Sequence, residues 1–116
     1  MLFVDFNAGN KSYKLRLNTR NTVMLEKTIG RNPLGIFTEN GVERIPTITE
    51  CVTVLYASLQ QYQHGISLND AYDIFDEYLA DGNTYTDFIP VILDIYRTSG
   101  IIKTTKDTEE EDSEKN

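Results

Sequence analysis

The residues able to do chemistry here are few: one histidine, one cysteine, and carboxylates gathered between positions 70 and 87. His64 closes the polar run Gln60-Gln61-Tyr62-Gln63 and precedes Gly65. A catalytic base needs a nucleophile or a ligand set beside it, and none is recognisable, so His64 reads as a helix-end residue facing the helix dipole. A reactive thiolate needs an electropositive, accessible setting. Cys51 instead sits on an apolar stripe and reads as a core residue.

Asp81-Gly82-Asn83-Thr84-Tyr85-Thr86-Asp87-Phe88 superficially resembles a calcium-binding EF-hand loop. With Gly82 at the sixth loop position, the first, third and fifth are Glu77, Leu79 and Asp81, and the twelfth is Phe88. Leucine and phenylalanine cannot ligate calcium, and the twelfth position requires a bidentate glutamate, so the segment reads as a helix stop. Gly30-Arg31-Asn32-Pro33-Leu34-Gly35 has neither a Walker lysine nor dinucleotide-binding spacing, and reads as a helix stop followed by a turn. No catalytic residue, metal or cofactor is expected. The remaining chemistry is charge: Asp70, Asp73, Glu77 and Asp81 lie at i, i+3, i+7 and i+11 along one side of a helix. Such a stripe is either a solvated face or a surface that steers a basic partner.

The elements that position these residues follow from periodicity. Leu2–Asn18 reads as a β-hairpin: Phe3, Val4 and Phe6 have β-propensity, and Ala8-Gly9-Asn10-Lys11 is a turn cluster. Tyr13, Leu15 and Leu17 alternate with Lys14 and Arg16. A first helix, capped by Asn18 or Thr19, runs to about Ile29 and stops at Gly30. Arg31–Pro46 is a connection with a turn at Thr38–Gly41 and a short flanking strand pair. Thr47 caps a second helix whose stripe is Ile48, Cys51, Val52, Leu55, Leu59 and Tyr62, ended by His64-Gly65. Ser67 opens a third helix with Asp70 in a capping-box position, and the expected buried face is Leu68, Ala71, Tyr72, Phe75 and Leu79. Gly82 stops it. Thr84 or Thr86 caps a fourth helix, apolar all round, that ends at Gly100. Either this is the central helix or one of its faces meets a partner.

The fold class expected is α+β, predominantly α: an N-terminal hairpin packed on about four helices in one domain, residues 1–102. Residues 103–116 hold no large apolar side chain and are expected to form a disordered acidic tail. The composition, 40% hydrophobic and 25% charged over 116 residues, is that of a globular domain. The single cysteine fits a reducing compartment. Met1–Lys14 has no signal-peptide pattern, and no run approaches a membrane span. A net charge of −7 disfavours nucleic acid and anionic membranes as partners.

The order of features resembles the tail assembly chaperones of long-tailed phages and prophages of Gram-positive bacteria. The resemblance spans roughly Tyr13–Ile95. It rests on Lys14-Leu15-Arg16-Leu17-Asn18-Thr19, on Leu25-Glu26-Lys27 with Gly30 and Asn32-Pro33-Leu34, and on Pro46-Thr47-Ile48. It continues through Val54–Gln60 and Asp73–Tyr78 to Asp81-Gly82. The specificity lies in their order and spacing. The resemblance implies a short-form chaperone in the cytoplasm of the bacterial host. Such a chaperone coats the tape measure protein and keeps it soluble until the tail tube polymerises. The major tail protein is a second candidate partner. It also implies a longer frameshifted product, and Glu114-Lys115-Asn116 can be encoded by a slippery run of adenines.

The surfaces expected to bind are the outward apolar side of the fourth helix, Ile89 and Leu93, and the acidic Asp70, Asp73 and Glu77. Self-association is expected through hairpin edges or the second face of the fourth helix. The alternative function is a small acidic regulator or DNA-mimic inhibitor. Three of the seven net negative charges lie in Ile101–Asn116, and the remainder is too mixed in sign to favour it.

Overall fold

The computed structural model describes residues 2–104. The chain opens with an antiparallel hairpin of β1 (Val4–Ala8) and β2 (Lys11–Leu15), pairing Val4 with Leu15 and Ala8 with Lys11. Gly9 and Asn10 form its two-residue turn, both at positive φ, 57° and 66°, which matches the twist of the flanking strands. Phe6, Ala8 and Leu15 face the core; Asp5, Asn7, Ser12 and Lys14 are exposed.

Four helices follow: α1 (Thr19–Ile29), α2 (Ile48–Leu59), α3 (Leu68–Ala80) and α4 (Phe88–Thr98). The expected starts hold, as do the stops of α1, α3 and α4. Asn18 caps α1 by accepting from the Asn21 N–H, and Gly30 ends it with φ of 75°. Thr84 caps a 3-10 turn, Tyr85–Asp87, that leads into α4, and Pro90 sits in the first turn of that helix. At its far end the Gly100 N–H donates to Arg97 and the Ile101 N–H to Tyr96, the paired bonds of a Schellman stop. The connection after α1 holds a 3-10 turn, Pro33–Phe37, that periodicity does not show, and then a small hairpin of β3 (Thr38–Glu39) and β4 (Val42–Glu43) around Asn40-Gly41. The expected tail lies outside the described residues except for Lys103 and Thr104.

Three expectations need correction. First, of the two readings of the fourth helix, the central one does not hold: the central helix is α2, with eight of its twelve residues buried, Val54, Leu55 and Leu59 among them. The fourth helix buries Phe88, Ile92, Ile95 and Tyr96 and leaves Ile89, Val91 and Leu93 half-buried. Second, α2 stops at Leu59, before His64-Gly65. Its last carbonyls accept from glutamine side chains, Tyr56 from Gln60 at 2.9 Å and Leu59 from Gln63 at 2.7 Å, and the Gln63 backbone N–H also turns back to the Leu59 carbonyl at 3.2 Å. Tyr62, the last residue of the expected stripe, is exposed on the turn and packs edge-on against Phe3.

Third, the buried face of α3 is Ala71, Ile74, Phe75 and Tyr78, while Leu68 and Tyr72 are exposed. Both stripes have helical spacing. The aromatic cluster decides between them: Tyr78 packs on Phe6 at 5.0 Å between ring centroids, and Phe88 meets Phe75 at 5.4 Å and Tyr78 at 5.9 Å. These contacts turn Phe75 and Tyr78 toward the hairpin and α4, which carries Tyr72 outward.

Candidate protein-binding surface

A groove of about 380 Å³ runs between the start of α2 and the outer flank of α3. Ile48, Thr49 and Val52 line one wall; Tyr72, Phe75, Asp76 and Leu79 line the other. Ile48 is 53% exposed and Tyr72 47%, while Val52 and Phe75 form the floor and belong to the core. The groove is therefore continuous with the hydrophobic interior. Asp76 is the one charged residue among those lining it.

The wall made by α2 is held in place from beneath. Pro46 discourages helix before it, and Thr47 and Glu50 form a capping box: the Glu50 N–H donates to Thr47 Oγ1 at 3.1 Å and the Thr47 N–H to Glu50 Oε1 at 2.9 Å. Arg44, at the end of the small hairpin, places its guanidinium fork on the same carboxylate at 2.9 and 2.6 Å. Burial alone would raise the Glu50 carboxyl, but the bonds from Arg44 and Thr47 outweigh it and hold the pKa below the ordinary value. The Tyr85 hydroxyl donates to the Pro46 carbonyl and ties the same corner to the start of α4. Ile48, the first residue of α2, is thus fixed in an exposed position by its neighbours' polar bonds.

The opposite flank of α3 carries the acidic stripe, and two of its four carboxylates make internal hydrogen bonds. Asp70 completes a capping box with Ser67, with bonds of 2.8 and 3.0 Å, and backbone and side-chain bonds from Ser67 lower its pKa. Asp81 accepts from the Gly9 N–H at 2.9 Å and so clamps the hairpin turn to the end of α3. A methyl group on Gly9 would run into the Glu77 side chain. The Tyr13 hydroxyl, across the same cleft, has its pKa raised by burial and by the Glu77 charge. Asp73 is exposed beside this cleft, which Lys11, Tyr13, His64 and Glu77 also line. The structure thus brings Asp70, Asp73 and Glu77 to one cleft with the hairpin, and places Ile89 and Leu93 half-buried on α4, outside it.

The other chemistry-bearing residues are accounted for locally. Cys51 is fully buried, and burial, reinforced by the Glu50 charge, pushes its thiol up to about 12. His64 is exposed on the turn after α2. In the Gly30–Gly35 segment, Asn32 caps the 3-10 turn by accepting from Leu34 at 2.7 Å, and Arg31 donates to the Gly35 carbonyl. Tyr96, buried on α4, donates to the Pro33 carbonyl at 2.8 Å and anchors that turn.

A family model spanning residues 4–115 matches the chain, under the description Family of unknown function (DUF6096). The chain belongs to this family. No curated protein and no solved structure matches it. Among the described residues no helix is long and apolar enough to cross a membrane.

The surface residues that periodicity missed are Ile48 and Tyr72. Both lie on helical stripes, so the sequence assigns them to the core. The rotation of α3 toward the aromatic cluster exposes Tyr72, and Ile48 is exposed by its place at the first position of α2.

Proposed function

We propose that the chain is a tail assembly chaperone that binds the long helical tape measure protein and keeps it soluble until the tail assembles. The observation that carries this reading is the open apolar groove between α2 and α3. Every buried side-chain nitrogen and oxygen among the described residues has a hydrogen-bond partner, so the interior is complete without a ligand. Ile48 and Tyr72 leave about half of their surface outside that interior, and an apolar surface rimmed by polar residues suits a partner's apolar face. An amphipathic helix laid into a groove is the mode that fits, with apolar side chains at i, i+3 or i+4 over Val52 and Phe75. A tape measure protein presents such faces in series. Many copies of a weak site along one chain then hold it soluble, and each copy stays displaceable. The order of sequence features from Tyr13 to Ile95 supports the same assignment. In this reading the chain has no catalytic role.

The test is co-expression with a long helical tape measure protein. The partner is expected in the soluble fraction with the wild-type chain and in the pellet with Tyr72→Asp or Ile48→Asp. Leu93→Asp tests the α4 face in the same assay. A partner that stays insoluble with the wild-type chain overturns the proposal, as does stoichiometric capture of a DNA-binding enzyme in its place.

A further inference from the structure

The two edges of the N-terminal hairpin differ. On β2 the outward backbone groups of Lys14 are both engaged: its N–H donates to Gln63 Oε1 at 2.8 Å, and its carbonyl accepts from Gln63 Nε2 at 3.0 Å. The next outward N–H, that of Arg16, donates to the Ser58 carbonyl at 3.0 Å. The amide of Gln63 and the end of α2 therefore close this edge in place of a third strand.

Outward and inward backbone groups alternate along an antiparallel pair. The register sets Asp5 opposite Lys14 and Asn7 opposite Ser12. Since Lys14 points outward on β2, Asp5 and Asn7 point outward on β1. Both residues are exposed, and their backbone makes no hydrogen bond outside the hairpin among the described residues. An edge of this kind is a template for another strand.

We propose that this β1 edge is where a second copy of the chain docks, antiparallel and two-fold about Phe6, to give one four-stranded sheet. The two-fold at Phe6 sets Asp5 of each copy opposite Asn7 of the other, so that every unpaired outward group on the strand finds a partner. The side chains agree with that register. The Ser12 hydroxyl donates to Asn7 Oδ1 at 2.7 Å, which leaves the amide nitrogen free to donate to the incoming Asp5 carboxylate. A two-fold at Asp5 would instead face carboxylate with carboxylate, which is unfavourable for directly opposed residues. Pairing also supports a two-stranded sheet, which is marginal by itself. The inference stands independently of the partner proposed for the groove.

Sedimentation equilibrium of the full chain up to millimolar concentration tests it, with circular dichroism confirming that each variant is folded. The wild-type chain is expected to dimerise. Asn7→Asp opposes two carboxylates at both ends of the seam and is expected to weaken dimerisation by about tenfold; Asn7→Lys is expected to tighten it by a similar factor. Mixing Asn7→Asp chains with Asp5→Asn chains is expected to restore pairing, because every carboxylate then faces an amide. That rescue would not follow from a folding defect. A chain that stays monomeric, or a dimer whose dissociation constant ignores both substitutions at position 7, overturns the proposal.

Discussion

On one flank of α3, Asp70 closes the helix start and Asp81 holds the hairpin turn; on the other, Tyr72 and Leu79 border an open groove. The first flank is charged and reads, in sequence, as a solvated face or a surface for a basic partner. The second is apolar and reads as core. The structure keeps all four carboxylates at the surface, with Asp70 and Asp81 in internal hydrogen bonds, and leaves Tyr72 exposed on the apolar side. Carboxylates are spent on caps and on a backbone N–H because those groups need charge-assisted acceptors. Apolar residues are left outside because the aromatic cluster can accept only one of two possible stripes. Helical spacing is therefore poor evidence of burial when two stripes compete.

The sharpest way to break this comparison is at the line between the flanks. Tyr78 is 6% exposed and packs on Phe6, Phe75 and Phe88. Tyr78→Ala is expected to cost about 3–5 kcal/mol, as large aromatic truncations in cores do, and to leave little folded protein. Urea unfolding measures it. A loss within about 0.5 kcal/mol, the ordinary range of surface changes, would mean that α3 is rotated the other way and that Tyr72 is the buried residue.

The hairpin flank comes next. Gly9 combines a φ of 57° with a position against Glu77, and its N–H is held by Asp81. Gly9→Ala is expected to destabilise by about 1–2 kcal/mol, chiefly because an L-residue is strained in the left-handed region. Adding Glu77→Ala removes the steric part but not the backbone part, so the double variant is expected to recover only a fraction of the loss. Full recovery would show that the whole loss is the clash with Glu77 and that the left-handed backbone at position 9 contributes no strain.

Local features were legible in the sequence because they are local. Asn18 and Gly30 bound α1, Thr47 caps α2, Ser67 and Asp70 build a capping box within three residues, and Gly9-Asn10 and Asn40-Gly41 carry the positive φ values that tight hairpins require. What was hidden depends on contacts distant in sequence. Asp81 and Gly9 are 72 positions apart, and nothing near either marks the bond. The end of α2 was misplaced for the same reason. Gln63 looks like a helical residue until its amide is seen bonded to Lys14, 49 positions away, as well as to Leu59. The groove was invisible because its opening follows from the packing of Phe6 and Phe88 against α3.

The smallest expected change in stability belongs to the groove flank. Tyr72 lines the groove, is 47% exposed, and makes no hydrogen bond among the described residues. Tyr72→Ser removes apolar surface that the folded chain leaves in water, so no cavity forms and no buried polar atom loses a partner. Its effect on unfolding is therefore expected to stay within about 0.5 kcal/mol. A partner helix seated in the groove would cover that ring, and a buried aromatic anchor contributes much of the energy of an interface. The same substitution is then expected to cost about 2 kcal/mol or more in binding, roughly thirtyfold in affinity. Calorimetric titration with a tape measure fragment, beside a thermal melt of the variant, reads both quantities. A variant that melts lower while binding as tightly as the wild-type chain would place Tyr72 in the fold and leave the groove without a partner. A variant that melts unchanged and binds weakly would separate the two flanks of α3, one serving the fold and the other serving assembly.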